Sequence, residues 1–394
     1  VKNLTKIVGK NTKEALALLA DGKSKDEILK ETGCTVAVNN ASFSVYEGEF
    51  FVIMGLSGSG KSTLIRLLNR LIEPTQGSIL VDGKEIANLD KKELRKVRRE
   101  KFSMVFQRFA LFPHRTILEN TEFGLEIQKM DKEERRKKAE EALKLVGLDG
   151  YFDQYPDQLS GGMQQRVGLA RALTNDPEVL LMDEAFSALD PLIRKDMQEE
   201  LLDLQTKMKK TIIFITHDLD EALRLGDRIA LMRDGEIVQI GTPEEILVNP
   251  ANAYVERFVE DVDRSKVLTA KHVMNRPETI NIEKHGPRVA LERMRAEGIS
   301  SILVVNNKRQ LQGYVTADDV LEATKKNISD LRDVLRTDIE KVEGNVPLNE
   351  IFNMIYDSKI PIAVVEEERL IGILVRGSII AGLASEGEVN GIAE

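Results

Sequence analysis

An apolar run, Glu49-Phe50-Phe51-Val52-Ile53-Met54, leads directly into Gly55-Leu56-Ser57-Gly58-Ser59-Gly60-Lys61-Ser62, and helical spacing takes over from Thr63 to Leu71. Few folds accept that junction. A strand with no polar alternation is buried on both faces, and closely spaced glycines let the backbone curl around bound phosphate. The pattern G-x-x-x-x-G-K-[ST] between a strand and a helix therefore predicts an α/β domain with a phosphate site at one end of its sheet. Gly55, Ser57, Gly58, Ser59, Gly60, Lys61, Ser62 and Thr63 form the cradle, with the helix N-terminus adding a favourable dipole. Lys61 is placed to reach the β- and γ-phosphates, and the Ser62 hydroxyl to reach Mg²⁺.

Up to about residue 245 the chain keeps this character. Phe102–Phe106, Val179–Met182, Thr211–Thr216 and Ile229–Arg233 are short and apolar, and helical stretches such as Lys132–Val146 and Ile193–Lys207 lie between them. Such alternation predicts a largely parallel sheet. One strand ends on Asp183-Glu184. After a phosphate loop, these two carboxylates are expected to serve Mg²⁺ (Asp183, directly or through water) and to polarise the attacking water (Glu184). A second glycine turn, Leu159-Ser160-Gly161-Gly162-Met163, opens a helix at Gln164–Leu173 and offers another anion-binding N-terminus. One nucleotide does not need two such sites from one chain. The turn is expected to meet a nucleotide held by another copy.

Composition narrows the partners. Net charge is −9 and 42% of residues are hydrophobic, an ordinary globular mixture whose field repels free nucleic acid. The basic runs Lys91–Arg99 and Lys132–Lys138 are laced with glutamate at helical spacing and read as solvated faces. Cys34 is the only cysteine, so no intrachain disulfide can form. No run reaches the roughly 18 apolar residues of a membrane span, and no signal-peptide pattern is seen, so a cytoplasmic protein is expected. Val1 falls mid-pattern, so residues before it are expected.

Two further regions stand out. Residues 11–33 read as a two-helix insertion, broken at Asp21-Gly22 and ended by Gly33, between a strand at Leu4–Val8 and strands at Val36–Val38 and Ala41–Val45. Beyond a helical linker at 246–266, a strand–helix–strand–strand–helix order occurs twice, at 267–325 and 326–384, a repeat of roughly 55 to 60 residues. The acidic, glycine-containing stretch 385–394 is expected to be a flexible tail.

Taken in order, these motifs resemble the ABC ATPases, with Leu159–Met163 matching their signature turn. The resemblance implies a helical subdomain at about 108–175, a nucleotide-bridged homodimer, and catalytic roles for Gln107, Glu184 and His217. Gln107 resembles the glutamine that ligates Mg²⁺ beside Ser62 and Asp183, and His217 the switch histidine on the γ-phosphate. Ser187-Ala188-Leu189-Asp190 is similar to the loop linking the two sites, so Ser160, Gly161, Gly162, Gln164 and Asp190 are expected to contact ATP held by the partner. The family usually stacks adenine on an aromatic. Here Thr35 stands near that place, and Val36 or Val38 is expected to substitute.

The insertion, with Leu67–Thr75 and Phe106–His114, is similar to the ATPases of glycine betaine and proline betaine importers. That implies a motor for osmolyte uptake at the cytoplasmic membrane face, with two permease subunits, a substrate-binding protein, and permease contacts at 108–113. The rival readings are an importer ATPase for another solute and a soluble, non-transport ATPase. The C-terminal repeat resembles a tandem CBS pair, with Thr316 and Asp319 matching a ligand-binding pair and Val375 and Ser378 in their places in the second copy. Either an adenine nucleotide such as cyclic di-AMP binds there, or ionic strength is sensed, or the pair serves packing alone.

Overall fold

The structure is a computed structural model that describes residues 1–107, 109–187, 189–260, 263–358 and 360–383. Arg108, Ala188 and the expected tail at 385–394 lie outside those residues. The chain forms two compact units, Val1–Val259 and Glu260–Glu394.

The first unit opens with β1 (Lys2–Val8), α1 (Thr12–Ala20), α2 (Lys25–Thr32), β2 (Thr35–Ala41), β3 (Phe50–Met54) and α3 (Lys61–Leu68). Next come β4 (Gln76–Ser78), the small hairpin β5 (Leu80–Val81) and β6 (Lys84–Glu85), α4 (Lys91–Glu100) and β7 (Phe102–Val105). A helical stretch is next: α5 (Ile117–Ile127), α6 (Lys132–Leu145) and α7 (Gly161–Leu173). The chain then returns through β8 (Val179–Asp183), α8 (Pro191–Met208), β9 (Thr211–Thr216), α9 (Leu219–Leu225), β10 (Arg228–Arg233) and β11 (Glu236–Gly241). Two short helices, α10 (Pro243–Val248) and α11 (Ala253–Val259), close the unit.

Six strands pair in the order β11-β10-β3-β9-β8-β7, all parallel except the β10–β11 edge. Every residue of β3 and β9 is buried, as their continuous apolar sequences require. In register, Met54 faces Thr216, Asp183 faces Ile215 and Val105 faces Met182. Four neighbouring strands thus end at one level, and a predicted functional residue stands just past the end of each. A separate antiparallel sheet, β2-β1-β4, completes the unit.

Three expectations are corrected. No strand runs from Ala41 to Val45: β2 ends at Ala41, and Phe43 beyond it exchanges two backbone hydrogen bonds with Val1, at 2.9 and 3.2 Å, while its ring stacks on Phe51 at 5.3 Å. The linker does not begin at 246, because Ile246, Leu247, Val255 and Val259 are buried in α10 and α11. The helix expected from Gln164 starts at Gly161, capped by the Ser160 hydroxyl, which accepts the Met163 N–H at 3.3 Å.

The insertion folds as two capped helices. Ser24 and Glu27 form a reciprocal capping box on α2, and Gly33 ends it in the left-handed conformation. Ile7, Ala15, Ile28, Cys34 and Val36 make its own small core.

In the second unit, α12 (Ala270–Val273), β12 (Thr279–Asn281), α13 (Pro287–Glu297), β13 (Ser301–Val305), β14 (Leu311–Thr316) and α14 (Ala317–Lys325) are followed by β15 (Lys341–Glu343), α15 (Leu348–Asp357), β16 (Ile362–Glu366), β17 (Arg369–Leu374) and α16 (Arg376–Leu383). Both three-stranded sheets pair parallel and then antiparallel. The copies exchange their lead-in segments. Leu268, Ala270 and Val273 pack among the second copy's Val342, Leu348 and Ile351, while Leu331, Val334 and Leu335 pack in the first. Structural lobes therefore cross the sequence boundary drawn at residue 326.

Because Ile28 is fully buried in a core of few residues, Ile28→Ala should destabilise the first unit by about 2–4 kcal/mol. Chemical denaturation monitored by circular dichroism would read this as a lower midpoint with an unchanged slope.

Candidate functional site

The strand ends build the site. Gly55, after β3, has φ 151°, and a Cβ there would lie 2.2 Å from the Met232 carbonyl oxygen. Gly60 has φ 98°, and its Cβ would lie 2.2 Å from the Ala37 carbonyl oxygen. Neither position accepts a side chain. The N–H groups of Gly58, Gly60, Lys61 and Ser62 bond no protein acceptor among the described residues, and the Ser59 hydroxyl is buried without a partner. Unmet donors around a tight turn at the start of α3 fit a polyphosphate.

Lys61 is buried, its ammonium donating to the carbonyls of Gly55 at 2.8 Å and Leu56 at 3.0 Å. Burial pushes it below the usual lysine range, and the Glu184 and Asp183 carboxylates oppose the shift. The Ser62 hydroxyl donates to Asp183 Oδ1 at 2.9 Å, and Arg66 holds the other carboxylate oxygen at 3.3 Å. Gln107 Nε2 donates to Glu184 Oε2 at 3.1 Å, and His217 Nδ1 lies 3.5 Å from the same oxygen. Ser62, Gln107, Asp183, Glu184 and His217, spread over most of the unit's sequence, are thus neighbours. Their hard oxygen donors suit Mg²⁺, which takes one or two carboxylates with substrate phosphates rather than a full protein cage.

Glu184 stands at φ 46°. Its N–H donates to the Ile215 carbonyl at 3.1 Å, and its own carbonyl accepts from the Ser187 N–H at 3.1 Å and hydroxyl at 2.9 Å. A non-glycine residue held in the left-handed region costs of order 1–3 kcal/mol and persists where surrounding bonds impose it.

The second set of predicted residues is elsewhere. Ser160 caps α7, Gln164 donates to the Leu159 carbonyl at 3.2 Å, and Asp190 caps α8 by accepting the Ile193 N–H at 3.1 Å. A Cβ on Gly162 would lie 2.6 Å from Ile193 Cγ2, and one on Gly161 3.6 Å from Phe109. Among the described residues, no hydrogen bond or ion pair joins this group to the phosphate loop or to Glu184.

The adenine expectation needs revision. Val36 and Val38 are buried, one in the insertion's core and one in the main core, so neither side chain faces a ligand. In the alternating strand it is Thr35 and Ala37 that turn the other way.

In the second unit, the Thr316 hydroxyl donates to Asp319 Oδ2 at 2.6 Å. Arg336, missed in the sequence, grips both Asp319 oxygens at 2.7 and 2.8 Å. At the second copy, where Val375 and Ser378 stand in place of the Thr–Asp pair, a cavity of about 430 Å³ opens beside Ser358, Ile360, Val375 and Arg376. Ser378 there accepts the Val375 N–H at 3.3 Å.

The ABC transporter family model matches residues 38–187, and the CBS domain model matches 270–326 and 331–385. The chain is 66% identical over 389 residues to the glycine betaine transport ATP-binding protein OpuAA of Bacillus subtilis, covering 98% of this chain and 93% of that one. It is also 66% identical to the glycine betaine/carnitine transport ATP-binding protein GbuA of Listeria monocytogenes, across 99% and 98% of the two chains. The chain belongs to the ATP-binding subunits of betaine-type ABC transporters. Among solved structures, it resembles a dimeric ATP-binding cassette in a post-hydrolysis state bound to ADP and Pi, with 38% identity, a TM-score of 0.52, and coverage of 61% of this chain and 97% of that one.

In this ABC ATPase the expected α/β motor fold and the tandem CBS module are both present, and the chain couples ATP hydrolysis to transport. Arg66 and Arg336 had no motif to reveal them. Their partners, Asp183 and Asp319, are too far away in sequence for any local pattern to pair them.

Arg336 and the Thr316 hydroxyl hold the Asp319 carboxyl below its usual range, with Arg336 the larger cause. A depressed carboxyl contributes stability that is complete above its unfolded pKa and lost as pH falls through the folded one. The melting-temperature gap between the parent and Asp319→Asn should therefore be constant from pH 7 to about 5 and close below about pH 4.

Proposed function

We propose that this ATPase energises uptake of glycine betaine or a related quaternary amine, acting as a homodimer closed by ATP. The observation that carries the motor reading is the levelling of Gly55, Gln107, Asp183, Glu184 and His217 at the ends of four adjacent strands. Sequence identity to the betaine ATP-binding proteins of B. subtilis and L. monocytogenes supports the solute class.

ATP lies with its phosphates against Gly55–Thr63, and Lys61 turns from the loop carbonyls to the β- and γ-phosphates. Ser62, Asp183 and the side-chain carbonyl of Gln107 would hold Mg²⁺, which would supply charge neutralisation for the phosphates. Glu184 polarises the attacking water, and His217, beside the same carboxylate, contacts the γ-phosphate. Ser160, Gly161, Gly162, Gln164 and Asp190 of the other chain complete the site. Binding to both chains makes ATP the glue, and hydrolysis removes the bridge.

The dimer drives two membrane permease subunits supplied by a substrate-binding protein, with residues 109–113 as permease contacts and Arg108 beside them in sequence. Among the described residues no helix is long and apolar enough to cross a membrane; similarity to transport ATP-binding proteins supports peripheral attachment at the cytoplasmic face. The CBS module regulates transport, through an adenine nucleotide such as cyclic di-AMP or through ionic strength, which modulates exposed charge pairs strongly near physiological salt.

With the purified complex in liposomes, ATP should drive uptake of labelled glycine betaine, and Glu184→Gln should abolish uptake while ATP binding persists. Intact hydrolysis without uptake would discard the solute and keep the motor. Deleting 267–394 should remove the response of uptake to salt or to nucleotide; a response kept in full would assign regulation elsewhere.

A further inference from the structure

The first turns of α8 touch three separate parts of the nucleotide site. Arg194 donates from Nη2 to the Leu189 carbonyl at 3.2 Å, in the loop that ends at Asp190. From Nη1 it donates to Asp218 Oδ2 at 3.4 Å, one residue past His217. Its Nε is buried without a hydrogen bond and lies 3.9 Å from Glu221 Oε1. Glu221 is itself buried, accepting from the Thr216 hydroxyl at 2.6 Å and from Gln198 at 3.0 Å. Thr216, the last residue of β9, accepts the Asp218 N–H at 2.9 Å. Immediately before Arg194, Ile193 is the side chain packed over Gly162.

Stability alone explains this poorly. α8 is already anchored by the Asp190 cap and by buried Met197, Leu201 and Leu204. Buried ionic groups are weak sources of stability and are often exchangeable for apolar ones. What a three-pronged guanidinium does well is to hold several acceptors at fixed distances from each other. Burial also raises the Glu221 carboxyl above its usual range, against the pull of Thr216, Arg194 and Gln198.

We propose that Arg194 is a positioning residue for hydrolysis, tying the Leu189–Asp190 loop to the His217 turn so that the face offered to the partner chain and the switch histidine move as one. The inference rests on the ATPase reading above. The contacts of Arg194 go to Leu189, Asp218 and Glu221 and not to the phosphate loop, so it acts on turnover and not on binding.

The test uses the full chain in its transporter complex. Arg194→Met should lower kcat about tenfold, the scale of a small misplacement near the chemistry, with KM within about twofold of the parent. Arg194→Lys, which keeps the charge but not the fork, should recover part of the loss. Asp218→Asn keeps the α9 cap and should lower kcat in the same sense. These two variants keep the test decisive if Arg194→Met does not fold. A kcat for folded Arg194→Met equal to the parent's, or a fall matched by an equal rise in KM, would overturn the relay alone. So would a loss in Asp218→Asn and Arg194→Lys that tracks only a lower melting temperature. A parent complex that does not hydrolyse ATP would instead overturn the ATPase reading beneath it.

Discussion

Parallel backbone pairing of β3, β9, β8 and β7 is the constraint on which the site depends. The register Met54–Thr216, Asp183–Ile215 and Val105–Met182 fixes where each strand stops. Both faces of β3 and β9 are buried, so polarity alone would not resist a slip of one residue; the close fit of particular side chains on each face holds the alignment. Only then can the Ser62 hydroxyl stand 2.9 Å from a carboxylate far away in sequence. The chemistry is carried by side chains, but their distances are set by main-chain hydrogen bonds that carry no chemistry.

Glu184 shows how the same sheet imposes a conformation the residue would not choose. Its amide is tied to the Ile215 carbonyl of β9, and Ser187 takes its carbonyl twice over. Between these anchors the backbone must pass through φ 46°. The turn ends the strand pattern and aims the carboxylate at Gln107 and His217 instead of into the sheet. A relaxed backbone would cost nothing locally, but it would leave two side chains without the oxygen they share.

Local pattern makes most of the fold legible, and the failures share a cause. The phosphate loop, the two carboxylates and the signature turn are contiguous runs whose meaning lies in spacing of a few residues. Arg66 and Asp183 are 117 residues apart, Arg194 and Asp218 24, and Arg336 and Asp319 17; no spacing rule reaches those pairs. Val36 and Val38 pass in sequence for ligand contacts because an alternating strand does not say which face is inside, and both are core. Phe43 passes for strand because it is apolar, although it lies past the end of β2, held by a backbone bond pair to Val1 and by packing on Phe51. The crossing of lead-in segments in the CBS pair is equally hidden, since each copy is complete in sequence while its lobe borrows residues from the other.

The nucleotide site has unmet donors at its phosphate loop, while the signature turn, from which no described bond reaches that loop, caps its own helix and is backed by Ile193. Gly162 is therefore small for a reason internal to the chain: the turn must lie flat on α8. The same contact matters in a pair of chains. Ile193 touches the turn offered outward, and Arg194 next to it grips the Leu189 carbonyl and Asp218 beside the histidine. A displacement of α8 cannot alter one without altering the other. In the dimer proposed above, this helix end is what would join the turn to the histidine.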